Sequence, residues 1–211
     1  TTTSNTITVK SGATANVILN GVEIDCSNTG ITPIMVESGA TLNLTLIGDN
    51  VLTACTLDDG TDAQKTAALG VPVGAELVIT ENSTGTLTAN GAKGGGAGIG
   101  GGYNSGAGTI TINGGTVNAN GGVQDGAGIG GGNNARSDVD TINGGTVTIN
   151  GGTVNATSFF GAGIGCGKAG RGGKVIINGG IVNATSTYGA GIGACPYSYK
   201  SVSYTHLTLP T

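Results

Sequence analysis

Four cysteines, one histidine, a knot of aspartates and a few aromatic rings are the side chains of this 211-residue chain that could do chemistry. Cys26 and Cys55 lie 29 residues apart, and Cys166 and Cys195 repeat that interval. Zinc sites draw on close C-x-x-C pairs, which this spacing does not provide, so the pattern points to disulfides or buried thiols. Asp58, Asp59 and Asp62, within Asp58-Asp-Gly-Thr-Asp62, could approach a Ca²⁺ ion, but the rest of a calcium-loop ligand set is missing. They read as a solvated loop, and neither a metal nor another cofactor is expected. The histidine, His206, belongs to a C-terminal segment set apart below; without it no Ser-His or Cys-His pair can form. Phe160 and Tyr188 are 28 residues apart, each directly before a Gly-Ala-Gly-Ile-Gly sequence, with Phe159 and Tyr103 nearby. Aromatic rings offer flat apolar faces with polar rims, which suits sugar rings as well as the packing of a corner. These four are the first carbohydrate-binding candidates.

The elements that would position these groups follow from repetition. Gly96-Ala-Gly98-Ile-Gly-Gly101 satisfies the dinucleotide-binding pattern G-x-G-x-x-G, which needs a helix directly after it. No helical pattern follows. Instead the pentapeptide recurs at Gly96–Gly100, Gly126–Gly130, Gly161–Gly165 and Gly189–Gly193, with starts 30, 35 and 28 residues apart. Between copies lies a second block of the form Ile-Asn-Gly-Gly-Thr-Val-Asn-Ala. A period near 30 with alternating segments is the mark of stacked coils.

The clearest unit runs from Gly108 to Gly130. Ile110 and Ile112 share one face of a first segment, Val117 and Ala119 of a second, and Ala127 and Ile129 of a third. Asn113-Gly114-Gly115 supplies a corner, because Asn and Gly tolerate positive φ. Weaker versions are read at Ile7–Val9, Ala15–Leu19 and Val22–Ile24; at Ile34–Val36, Thr41–Ile47 and Val51–Ala54; and at Val71–Val73, Leu77–Thr80 and Thr86–Ala89. Gly12, Gly39 and Gly74 mark one equivalent corner. The expected fold is an all-β, right-handed parallel β-helix with three short strands per coil of 28–30 residues and six to seven coils. Stacked at about 4.8 Å, these make a rod on the order of 30 Å long. The heptapeptide Thr-Ile-Asn-Gly-Gly-Thr-Val occurs in tandem at Thr141–Val147 and Thr148–Val154, leaving two registers. The strand is placed at Thr146–Ile149, with Asn133–Gly144 as an outward loop.

On this frame Cys26 and Cys55 each follow an equivalent strand and should stack within disulfide range. Cys166 and Cys195 fall two and three residues after the Ile of their pentapeptides, which would aim them to opposite faces. Thr109, Thr111, Thr146 and Thr148 point outward on one side. On another, Asn118, Asn155 and Asn183 form a row that could hold a hydrogen-bond ladder or meet a polysaccharide. The glycine side would be flat and open to another element. Ice binding through the threonines is an alternative, although Asn118, Ile176 and Ile181 interrupt the rows. Polysaccharide lyases and hydrolases on such folds need clustered carboxylates, and no two occupy equivalent positions in neighbouring pentapeptide coils.

Composition agrees with this frame. With 44 Gly but only 4 Pro, and with many Val, Ile and Thr, the chain is neither collagen-like nor a disordered linker. Residues 1–90 hold nine acids against Lys10 and Lys65, and the net charge is −4, so nothing marks a nucleic-acid partner. No apolar run reaches the roughly 18 residues of a membrane span. Residues 1–201 are read as one solenoid, less regular over 1–90 and Gly-rich over 91–201. Val202–Thr211 leaves the pattern abruptly and resembles a translated sequencing adaptor, so residues 202–211 are expected to be non-native and the natural chain to continue past about Ser201.

Gly-Ala-Gly-Ile-Gly-Gly-Gly alternating with Thr-Ile-Thr-Ile-Asn-Gly-Gly-Thr-Val-Asn-Ala resembles the glycine-rich β-solenoid repeats of large cell-surface proteins of Gram-positive gut bacteria. The resemblance covers Leu77–Gly193. It implies an extracellular, non-catalytic structural or adhesive segment that contacts polysaccharide or a host or cell-wall glycan. The alternative is a fragment of a polysaccharide lyase or glycoside hydrolase β-helix. An uncapped end would promote self-association.

Overall fold

The computed structural model describes residues 2–55, 66–122, 125–134 and 143–195. Within them the regular structure is entirely β-strand, in a three-step order. A short lead strand, β1 (Thr2–Thr3), precedes the first coil of β2 (Ile7–Val9), β3 (Thr14–Asn20) and β4 (Glu23–Asp25). The second coil is β5 (Ile34–Val36), β6 (Thr41–Ile47) and β7 (Asp49–Thr53); the third is β8 (Leu69–Gly70), β9 (Glu76–Ile79) and β10 (Thr86–Asn90). The fourth is β11 (Ile99–Gly100), β12 (Thr109–Ile112) and β13 (Thr116–Asn120), and the fifth is β14 (Ile129–Gly130), β15 (Thr146–Ile149) and β16 (Thr153–Ser158). The sixth is β17 (Ile164–Gly165), β18 (Lys174–Ile177) and β19 (Ile181–Ser186), and β20 (Ile192–Gly193) opens a seventh.

Every strand pairs in parallel with its equivalent one coil away, giving two seven-stranded sheets and one six-stranded sheet. The result is a right-handed parallel β-helix. Alternation explains why. In β6, Leu42, Leu44 and Leu46 are buried while Thr41, Asn43 and Thr45 face outward. Leu42 stacks on Leu77, which stacks on Ile110 and then Val147. On another side Ile34, Leu69, Ile99, Ile129 and Ile164 form one column. Each fully buried aliphatic chain contributes about 1.5–3 kcal/mol, so the columns hold the register of the coils.

The pentapeptide glycines are not an open face. Gly96, Gly98 and Gly100 are buried, as are Gly126, Gly128 and Gly130. Gly100, Gly130 and Gly165 have φ of 134°, 135° and 142°. A Cβ on Gly130 would lie 1.9 Å from the Gly165 carbonyl oxygen. These positions are glycine because adjacent coils meet backbone to backbone there, which corrects the expectation of a flat surface free for another chain.

Other expectations shift too. The strand expected at Val71–Val73 is Leu69–Gly70, because Leu69 joins the aliphatic column while Pro72 has no N–H to donate and Val73 is exposed. Of the outward loop expected at Asn133–Gly144, residues 135–142 lie outside the described residues, and its two ends do not turn outward. Asn133 N–H donates to Gly95 O at 2.8 Å and Gly144 N–H to Arg171 O at 2.9 Å, so both ends of that segment join the stack. The register of the tandem heptapeptides is the one placing Thr146 opposite Thr109.

Candidate functional site

Three of the aromatic residues, Phe159, Phe160 and Tyr188, meet at the corner between the ends of β16 and β19 and the pentapeptides that follow. Ser158 Oγ donates to Gly126 O at 2.7 Å, and Ser186 Oγ to Gly161 O at 2.6 Å, pinning each strand end to the coil before it. Tyr188 N–H donates to Phe159 O at 2.9 Å. The Phe160 and Tyr188 rings stack with centroids 4.9 Å apart and planes 17° from parallel. Phe159 meets both edge-on, at 4.8 Å from Phe160 and 5.1 Å from Tyr188. Such pairs add about 0.5–1.5 kcal/mol beyond their buried area. Phe160 is half-buried, whereas Phe159 is 40% exposed and Tyr188 61%.

Charge enters from below. Lys168 Nζ lies 4.9 Å from the Phe160 ring centroid and 3.0 Å from Asp125 Oδ1. Asn133 Nδ2 donates to Asp125 Oδ2 at 2.8 Å, and Lys168 N–H to Asp125 O at 2.8 Å. Asp125, Phe160 and Tyr188 each occupy the position immediately before a pentapeptide, so they form one column up the solenoid. Reasoning from aromatic residues alone misses Asp125 and Lys168. The shared position was the signal that would have found Asp125; Lys168 has no counterpart in neighbouring coils.

Four segments, residues 82–103, 110–133, 147–168 and 175–194, match the family model for the beta helix repeat. This is a β-solenoid repeat region. No match to a curated protein or to a solved structure was found. The beta helix repeats contain the whole column, Asp125 and Asn133 in the second, Phe159, Phe160 and Lys168 in the third, Tyr188 in the fourth.

The remaining sequence candidates divide. Asn118, Asn155 and Asn183 stack on the outward face of adjacent repeats. Asn183 Nδ2 donates to Asn155 Oδ1, and Asn155 Nδ2 to Asn118 Oδ1, both at 2.8 Å. A second ladder, Asn178 to Asn150 at 2.7 Å and Asn150 to Asn113 at 2.8 Å, runs up a corner. The asparagines therefore spend part of their hydrogen-bonding capacity on holding repeats together. Tyr103 is elsewhere, lining a hollow with Met35, Pro72 and Ser105, and does not join the aromatic column. Asp58, Asp59 and Asp62 lie outside the described residues, as do His206 and the tail. Among the described residues no three His, Cys, Asp or Glu come together, and no helix is long and apolar enough to cross a membrane.

All four cysteines are buried free thiols in this structure. The register sets Cys26 and Cys55 one residue out of line. Glu23 pairs with Val51 and Ile24 with Leu52, which sets Cys26 beside Ala54. Aligning the two cysteines would slide the strand by one residue and turn Leu52 outward. Asn50 fixes the choice by accepting the Val22 N–H at 3.0 Å. Burial raises the Cys26 thiol pKa, making it a poor nucleophile. Cys166 and Cys195 do not point apart: their Sγ atoms are 2.7 Å apart in the core. Both follow the end of a strand, where strict alternation no longer governs direction.

Proposed function

We propose that the chain is a non-catalytic, extracellular solenoid segment of a bacterial cell-surface protein, acting as a spacer that contacts carbohydrate along its aromatic column. The observation that carries this is the exposed Tyr188 ring, stacked on Phe160 and flanked by Phe159. Rings pre-oriented by stacking lose little rotamer freedom on meeting a sugar face, so binding is favoured without a deep pocket. Lys168 lies below the rings and can offer N–H donors to hydroxyl groups, while the buried Asp125, bonded by Asn133, holds its ammonium in place. The repeating coils below give a rigid base for the display.

A glycan array probed with the wild-type chain and with Tyr188→Ala tests this. The reading expects binding to a subset of polysaccharides, weakened at least tenfold by the substitution. Absence of binding to every glycan, or binding indifferent to Tyr188→Ala, would leave the spacer role alone.

A further inference from the structure

We infer that Cys166 and Cys195 form an intramolecular disulfide that staples the coil of β17 to the coil opened by β20. This goes beyond the carbohydrate reading and does not depend on it. Three observations support it. The two strands pair directly, Ile164 with Ile192 and Gly165 with Gly193, which sets Cys166 opposite Ala194 with Cys195 one residue beyond, a diagonal of roughly 6 Å that is still inside the Cα range of a disulfide. The sulfurs are 2.7 Å apart, and an S–S bond requires them to close by roughly 0.7 Å. Both thiols are buried, and among the described residues no cluster of three or more His, Cys, Asp or Glu includes them.

The surroundings give the thiols different characters. Cys166 is fully buried, and donating its S–H toward Cys195 raises its pKa. Accepting that hydrogen bond lowers the Cys195 pKa. Cys195 is also the less enclosed of the two. Its lesser enclosure makes it the first of the two to meet an oxidant. With a small-molecule disulfide as oxidant, the Cys195 thiolate attacks one oxidant sulfur and releases one small thiol. Cys166, deprotonated, then attacks the Cys195 sulfur and releases the second. The protein loses two hydrogens, and the oxidant is reduced to two thiols. Cys26 and Cys55 share that one-residue offset, but the Cys26 Sγ is directed to Ser4 O, at 4.0 Å.

The staple spans the coils that carry Phe160 and Tyr188, and so fixes the aromatic column from within the core. The test is to unfold the full chain with reductant, refold it with a glutathione redox pair, and count thiols after denaturation. Two thiols should remain of four, and a non-reducing peptide map should link the Cys166 and Cys195 peptides. The oxidised chain should melt roughly 5–10 °C above the reduced one. Cys195→Ala should abolish that redox-dependent shift, and Cys26→Ala should keep it. Four free thiols, mixed disulfides with glutathione only, or a Cys26–Cys55 link would overturn the inference. Should the alanine variant not fold, the wild-type peptide map still decides.

Discussion

Tyr188 is where a single side chain matters most. Its ring is the exposed end of the column, and replacing it with alanine removes one stacked and one edge contact. Tyr188→Ala should cost only about 1 kcal/mol of stability while sharply reducing glycan binding, a split that urea unfolding and array binding measure together. Asn155 is the opposite case. It donates to Asn118 and accepts from Asn183, so Asn155→Ala breaks the ladder on both sides. A loss of about 1–2 kcal/mol is expected, against a smaller loss for Asn183→Ala at the ladder's end, both read from denaturant midpoints. Asp25 adds a pH signature. Hydrogen bonds from the Ser27 hydroxyl and backbone N–H hold its carboxyl below the ordinary carboxylate range. A folded pKa lower than the unfolded one stabilises the fold above the unfolded value, and this is lost as pH falls through the folded value. The acid limb of a stability–pH curve should therefore be shallower in Asp25→Asn. The residue is half-buried and its carboxylate is still screened by solvent, so the change is small.

At the scale of the strand, the glycines separate close approach from mere turning. Gly130 and Gly12 both have positive φ, 135° and 78°. A Cβ on Gly130 meets the Gly165 carbonyl, whereas one on Gly12 meets nothing within 4 Å. Gly130→Ala should therefore cost about 3 kcal/mol or more, and Gly12→Ala about 1 kcal/mol, in parallel thermal melts. The same contrast shows what the sequence made legible. Ile110, Ile112, Val117 and Ala119 announced their inward faces, since alternation and burial are one rule in a two-sided strand. The strand at Leu69–Gly70 was harder, because Leu69 and Val71 share a parity and only the column above and below selects between them. Cys26 and Cys55 obey a related rule. Equal spacing from the previous valine is a property of sequence, whereas register answers to Leu52 facing inward and to the buried Asn50 amide. Tyr103 looked close to the aromatic pair in sequence register, but it follows its pentapeptide while Phe160 and Tyr188 precede theirs, which places it at another corner.

For the molecule as a whole, repetition carries stability along the axis. Each coil rests on its neighbours, so terminal coils are the least supported. Val175, Ile177, Val182 and Ala184 are only partly buried, and Ile181 and Ile192 are exposed. Among the described residues no strand pairs with the outer sides of β18, β19 or β20. We propose concentration-dependent self-association through these strand edges, seen as a rising mass in sedimentation, and a monomer at every concentration would count against it. All of these outcomes depend on the coils stacking in the stated register, which alone brings residues 28 apart into ring contact. A NOESY spectrum of the chain with labelled Phe and Tyr tests that register without any ligand. The account predicts ring-to-ring cross-peaks between Phe160 and Tyr188, 4.9 Å apart by centroid. Their absence, with Tyr188 instead contacting residues one step out of register, would contradict it.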